Sequence, residues 1–188
     1  MKPLHKWEPL WLAILGVFVI GLCSLLYKFG DRLPGYTYVD NERFEIGYMS
    51  IMPEHYHIAA HLEKGPRVLV LHNSPGGRVR SGLGLLELFE EVHITGTQCR
   101  SMCVYMALLH HNVHLGPNIT QFDFHSISSL SPVLNKWELS RERTQSFLKQ
   151  LPPDLLPKLQ PLLDEVQFIA ISVTEVERAR GAPFPRLD

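Results

Sequence analysis

An α/β domain built on a mainly parallel sheet is the fold class that this 188-residue sequence predicts. Three observations predict it. "RVLVL", residues 67–71, is a continuous apolar run rich in β-branched residues, the pattern of a strand buried on both faces of a parallel sheet. "NSPGG", residues 73–77, follows at once as a turn. "VRSGLGLLELFEEV" then sets Val79, Leu83, Leu86 and Val92 at helical spacing. A strand, a glycine turn and a helix therefore occur in order, and such alternation is what a parallel sheet requires.

The elements can be justified from the N-terminus onward. Residues 1–8 form a short flank that carries Lys2 and Lys6. Residues 9–28 follow, and "PLWLAILGVFVIGLCSLLY" within them holds no charged side chain. As a helix that stretch is about 28 Å long, close to the hydrocarbon thickness of a bilayer. Trp7, Trp11 and Tyr27 lie near its ends, as interfacial aromatics do. A single-pass transmembrane anchor is the reading preferred over a cleaved signal, which wants an A-x-A-like exit that is missing here. A buried soluble helix is the weakest reading. Lysines and arginines flank both ends, and the free amine tips the orientation to N-inside. The domain is then expected on the extracytoplasmic side, in the periplasm if the source is bacterial.

Residues 29–42 are polar, are punctuated by Gly and Pro, and read as a juxtamembrane linker. The domain proper is expected over residues 43–188. After the first strand–turn–helix come "VHITG" as a second strand and "SMCVYMALLHH" as an apolar helix starting near Ser101. "ITQFDFHS" alternates and reads as a third strand, ending at His125. "KWELSRERTQSFLKQL" is amphipathic, "PPDLLPKLQPLLDEV" is a helix broken by prolines, and "SVTEVERARG" is a last short helix closed by Gly181.

Composition excludes some functions. A net charge of −1 gives no basic footprint, so no nucleic-acid partner is expected. Ten histidines are many, but they form no HExxH, and the three cysteines form no CxxC; no metal site is signalled and no cofactor is expected.

The residues that carry chemistry centre on Ser101. It lies between a predicted strand and the start of an apolar helix, whose free N–H groups and positive dipole end can stabilise a developing oxyanion. The N–H of Met102 is one candidate donor. Gly76 and Gly77 are the candidate second side, because glycine lets backbone approach a ligand closely. His125 ends the next expected strand, where it could take the serine's proton as general base. An orienting carboxylate should follow, and Asp154, Asp164, Glu165, Glu175 and Glu177 all remain open. Cys99 and Cys103, four apart, would lie roughly 6 Å apart on one helical turn. In an oxidising compartment a bridge between them is expected, acting to fix the turn around Ser101. Cys23 lies in the apolar span and reads as packing. "NIT" at Asn118 matches a glycosylation sequon, a motif short enough to occur by chance.

Jointly, "VLVLHNSPGGRVRSGLGLLELF", "QCRSM" and "FDFHS" resemble the Clp protease proteolytic subunit and its wider ClpP/crotonase superfamily. They arrive in the family's order over residues 67–126. The resemblance implies stacked ββα units, with Ser101 as nucleophile, His125 as base, and Gly76 and Met102 at the oxyanion hole. "FIAISVTEVERARG" looks like a drifted copy of the family's tail, which places the acid at Glu165 or Asp164, Glu165 being preferred. The family normally has aspartate as its acid, and small residues where Arg100 and Cys103 stand. The implied function is a membrane-anchored serine peptidase acting on polypeptides, with a homo-oligomer as the default expectation and no docking site for an ATPase partner in evidence. Two alternatives are a binding or assembly module that kept the fold, and, less favoured, a crotonase-type acyl-CoA enzyme.

Overall fold

In the computed structural model, residues 35–62, 65–131 and 136–188 are described. The expected anchor, residues 9–28, lies outside them. Among the described residues no helix is long and apolar enough to cross a membrane.

Three helical crossovers generate the sheet. Strand β2 (Arg43–Gly47) leads through helix α1 (Pro53–Ala60) to β3 (Val68–Ser74). Helix α2 (Val79–Leu86) carries the chain to β4 (Glu91–Cys99), and α3 (Met102–Leu109) carries it to β5 (Val113–Leu115). Each pair so joined is parallel, as a helical crossover demands. Strand β1 (Tyr36–Val39) adds antiparallel to β2, giving the sheet order β1-β2-β3-β4-β5. This is a mixed α/β fold with a mainly parallel sheet, as expected.

Alternation along the strands decides which face meets the core. Phe44, Ile46, Leu69, Leu71, Val92, Ile94, Val113 and Leu115 are all buried on one face. They pack against α3, where Met102 through Ala107 are buried too. The other face carries Glu45, His72, Glu91, His93, Thr95 and His114, all half-buried. "RVLVL" is thus apolar beyond what its second face needs: Val68 is only half-buried, although Val70 is covered.

Several elements depart from expectation. Residues 36–39 of the supposed linker form β1; all four are exposed, so the edge strand carries no alternation to read. The helix expected after the glycine turn, α2, stops at Leu86, and Val92 belongs to β4. "KWEL" is strand β8 (Lys136–Leu139), which pairs with β7 (Ser128–Ser131). Only Arg141–Leu148 is helical there, as α4. The proline-rich stretch folds as two 3₁₀ turns, Pro153–Leu155 and Gln160–Leu163, around α5 (Leu156–Leu159), since proline cannot donate within a helix. The last helix, α6 (Val173–Arg180), is as expected. Ser172 Oγ accepts the N–H of Glu175 at 3.3 Å, and Gly181 closes the end at φ 71°.

Strand β6 (Gln121–His125) does not join the parallel sheet. It pairs antiparallel with β9 (Phe168–Ser172), setting His125 opposite Phe168. The C-terminal tail returns to β5: Leu115 N–H donates to Pro185 O and Leu187 N–H to Leu115 O, both at 2.9 Å.

Candidate active site

The "NSPGG" turn and the serine elbow are built against each other. Asn73, at φ 47°, takes a conformation that asparagine tolerates, and its Oδ1 accepts the N–H of Thr97 at 2.7 Å. Ser74 pairs with Cys99, and its carbonyl accepts Arg100 N–H at 3.0 Å. Beyond it, Gly76 lies so close to the elbow that a Cβ there would sit 2.6 Å from Arg100 O, 2.7 Å from Ser101 Cβ and 2.9 Å from Met102 N. Its φ of 96° adds a second reason for glycine. Gly76 O accepts from Ile51 N at 2.7 Å, and Arg78 N donates to Ile51 O at 2.9 Å. These bonds hold Gly77 in a parallel bridge to Ile51.

Ser101 stands at φ 49°, ψ −119°, immediately before α3. A non-glycine residue there costs on the order of 1–3 kcal/mol, which its surroundings must offset. Its N–H donates to Asp123 O at 2.8 Å, and Arg100 forms a parallel bridge to Asp123. The structure thus sets Ser101, Met102 and Gly76 side by side at a helix N-terminus. Met102 opens the helix, so its N–H has no intrahelical acceptor. The N–H of Gly76 is already given to Ser74 Oγ at 3.2 Å.

His125 arrives by a different route from the one expected. A strand–helix–strand unit was to bring it beside Ser101, but the strand completing that unit is β5. Instead, β6 passes the elbow through Asp123, two residues before His125. The His125 ring packs on Phe168 with centroids 4.4 Å apart, and its carbonyl accepts from the hydroxyl of buried Tyr105. Burial holds its imidazole below the ordinary histidine value, against an opposing hydrogen bond at Ser126. Among the described residues, no hydrogen bond joins Ser101 Oγ to His125.

The two candidate acids lie in the turn before β9, at the same end of that strand pair as His125. Asp164 is exposed and ion-paired with Arg141. Glu165 is exposed as well. Neither makes a hydrogen bond to His125 among the described residues.

A carboxylate that sequence reasoning missed is Asp123. It is buried, accepts from Arg100 Nε at 2.7 Å and from Gln121 Nε2 at 3.0 Å, and shares a strand face with His125. Its only sequence signal was its place two residues before the histidine in "FDFHS". Arg100, which stands where the resembled family has a small residue, is drawn along β6 to this carboxylate and lies over Phe168, 5.7 Å from the ring centroid. Cys99 and Cys103 do not share a helical turn: one ends β4, the other lies in α3. The elbow between them still brings their Cα atoms to 5.4 Å and their sulfurs to bonding distance.

No family model and no curated protein matches the chain. Among solved structures, it is similar to an enoyl-CoA hydratase/isomerase family protein from Silicibacter pomeroyi. The TM-score is 0.51 at 8% identity, over 82% of this chain and 75% of that one. A serine-to-alanine mutant of 1510-N, a membrane-bound stomatin-specific protease, aligns over 78% of this chain and 77% of its own, with 12% identity and a TM-score of 0.45, too low to weigh. At such identities the likeness is one of fold alone, a mixed α/β fold with a mainly parallel sheet like that of the enoyl-CoA hydratase/isomerase family protein.

Proposed function

We propose that this chain is a serine peptidase of ClpP-like fold that hydrolyses peptide bonds through an acyl-enzyme. In this reading residues 9–28 anchor it in a membrane and residues 43–188 act on polypeptides outside the cytoplasm. The observation that carries the reading is the left-handed φ of Ser101 at the head of α3, with Gly76 packed against it. Serine gains nothing for folding from that conformation; a half-buried nucleophile set beside free N–H groups does.

Ser101 Oγ attacks the carbonyl carbon while His125 Nε2 or Nδ1 takes its proton. The lowered affinity of His125 for protons keeps the ring neutral near pH 7, as a base must be. The oxyanion is received by Met102 N–H and by Gly77 N–H, since Gly76 N–H is engaged with Ser74. His125 returns the proton to the leaving amine, then activates water to release the acyl group. Glu165 orients the imidazole, Asp164 being committed to Arg141. A Cys99–Cys103 bridge braces the elbow on both sides of the nucleophile, and the active form is a homo-oligomer.

A second reading has an observation of its own. Without a Ser101–His125 hydrogen bond, the fold could serve as a binding module with no efficient chemistry. A fluorophosphonate probe separates the two. Under the peptidase reading the solubilised wild type is labelled, and Ser101→Ala and His125→Ala lose labelling by about 10³-fold or more. An unlabelled wild type supports the binding module. Labelling that persists in Ser101→Ala refutes the nucleophile.

A further inference from the structure

Away from the elbow, β4 and β5 juxtapose two imidazoles and a carboxylate. Glu91 and His93 are two apart on β4 and so share a face, opposite the core-facing Val92 and Ile94. The parallel register sets His93 directly beside His114 on β5. His93 Nε2 lies 3.1 Å from Glu91 Oε2, and the two imidazole centroids are 5.0 Å apart. One ligand atom from each of Glu91, His93 and His114 falls within 4.8 Å of the others. All three side chains are half-buried, with a way out to solvent.

We propose that Glu91, His93 and His114 bind a divalent zinc-class ion. A His₂Glu set of borderline nitrogens and one oxygen is a zinc ligand set, and three protein ligands leave a fourth position for water. In a tetrahedral site with Zn–N near 2.0–2.1 Å the ligand atoms stand about 3.3 Å apart. His93 and Glu91 already do, and a ring rotation closes the distance to His114. A supporting contact is in place: His114 Nε2 is 3.0 Å from Asn112 Oδ1. Donating Nε2–H to that oxygen leaves the Nδ1 lone pair for metal and fixes the ring. The next row, where His72 bonds Thr95 Oγ1 at 2.9 Å, is satisfied without an ion.

The ion would tie β5, a strand of three residues, to β4. It would sit about 20–25 Å along β4 from Ser101, so the inference does not depend on the peptidase reading. HExxH and CxxC patterns miss this set because its ligands come from two strands twenty-odd residues apart.

The test is cobalt(II) and zinc titration of the untagged, detergent-solubilised full-length protein after chelator treatment. Cobalt reports coordination by its visible d–d absorption, and zinc by calorimetry and thermal midpoint. Wild type should bind one equivalent saturably, with a raised midpoint. His93→Ala, His93→Gln and His114→Ala should each weaken binding at least tenfold and remove the rise. A paired His57→Ala/His61→Ala change, at exposed positions in the last turn of α1 and just after it, should leave both intact. Wild type without saturable binding, or His93 and His114 variants that bind as wild type does, would overturn the site. Loss of binding in the His57/His61 variant alone would move it to α1 and overturn it equally.

Discussion

The serine elbow and the β6–β9 pair that carries His125 are held in different ways. The elbow is fixed by backbone. Arg100 N–H bonds Ser74 O, Ser101 N–H bonds Asp123 O, Gly76 O accepts from Ile51, and Gly76 leaves no room for a Cβ. The backbone of His125 is held by pairing with Phe168 and by the Tyr105 hydroxyl on its carbonyl, but its ring is placed by packing on Phe168, itself 55% exposed. Backbone contacts do not change when neighbouring side chains rotate, whereas a stack on an exposed ring is worth only about 0.5–1.5 kcal/mol. The backbone around Ser101 is therefore set once, while the His125 ring stays adjustable. The proposed chemistry needs that latitude, because no hydrogen bond joins His125 to Ser101 among the described residues.

The largest test breaks the rigid half. Gly76→Ala drives a methyl into Arg100 O and Met102 N from a φ that alanine avoids, so it should cost about 2–3 kcal/mol. Urea denaturation measures the loss, and fluorophosphonate labelling should fall with it even at full occupancy of the folded state. A Gly76→Ala protein as stable as wild type would mean that the elbow is not backbone-locked.

The second test weakens the side-chain tie between the halves and leaves the backbone one, Ser101 N–H to Asp123 O, in place. Asp123→Asn removes the charge and one of the two oxygens that accept from Arg100 and Gln121, but Arg100 is partly exposed, so the cost should be about 1–2 kcal/mol. His125 should then show the larger chemical-shift change by NMR, with Ser101 little moved. Equal change at both would put the elbow under side-chain control.

The smallest and most graded test uses pH. Burial lowers the proton affinity of both His125 and His55, and His55 Nδ1 also accepts the Met52 N–H at 2.9 Å, capping α1 next to Ile51. The folded state therefore binds fewer protons than the unfolded chain just below the ordinary value of 6.5. Stability should be full above that value and fall as the pH drops through the lowered folded pKa values. His55→Gln should remove the part that belongs to the elbow side, and His125→Gln the part that belongs to β6. Thermal midpoints between pH 8 and pH 5 check this, and a flat profile in wild type would contradict it.

What the sequence revealed follows the same division. Strand β3, the "NSPGG" turn, α3 and the Gly181 cap were legible because each is a local pattern: an apolar run, paired glycines, a buried helix, a left-handed stop. The pairing of β6 with β9 was not, because it joins segments some forty residues apart and contradicts the simplest parallel reading of "QFDFH". Strand β5 was missed because three residues carry no period, and β1 because both its faces meet solvent. The contact of Arg100 with Asp123 could not be read either, since a carboxylate inside an apolar strand looks like any other break in alternation.

The return of the tail to β5 has a consequence for synthesis. Leu115 is paired by Pro185 and Leu187, so one edge of the central sheet is completed by residues about seventy positions further along the chain. While the chain is being made, β5 presents unpaired donors and acceptors until those residues emerge, and an open strand edge invites other chains. Nascent chains, or chains cut ahead of Pro185, should therefore be the forms that self-associate, with Pro185 and Leu187 acting as a late-arriving selvage on the sheet.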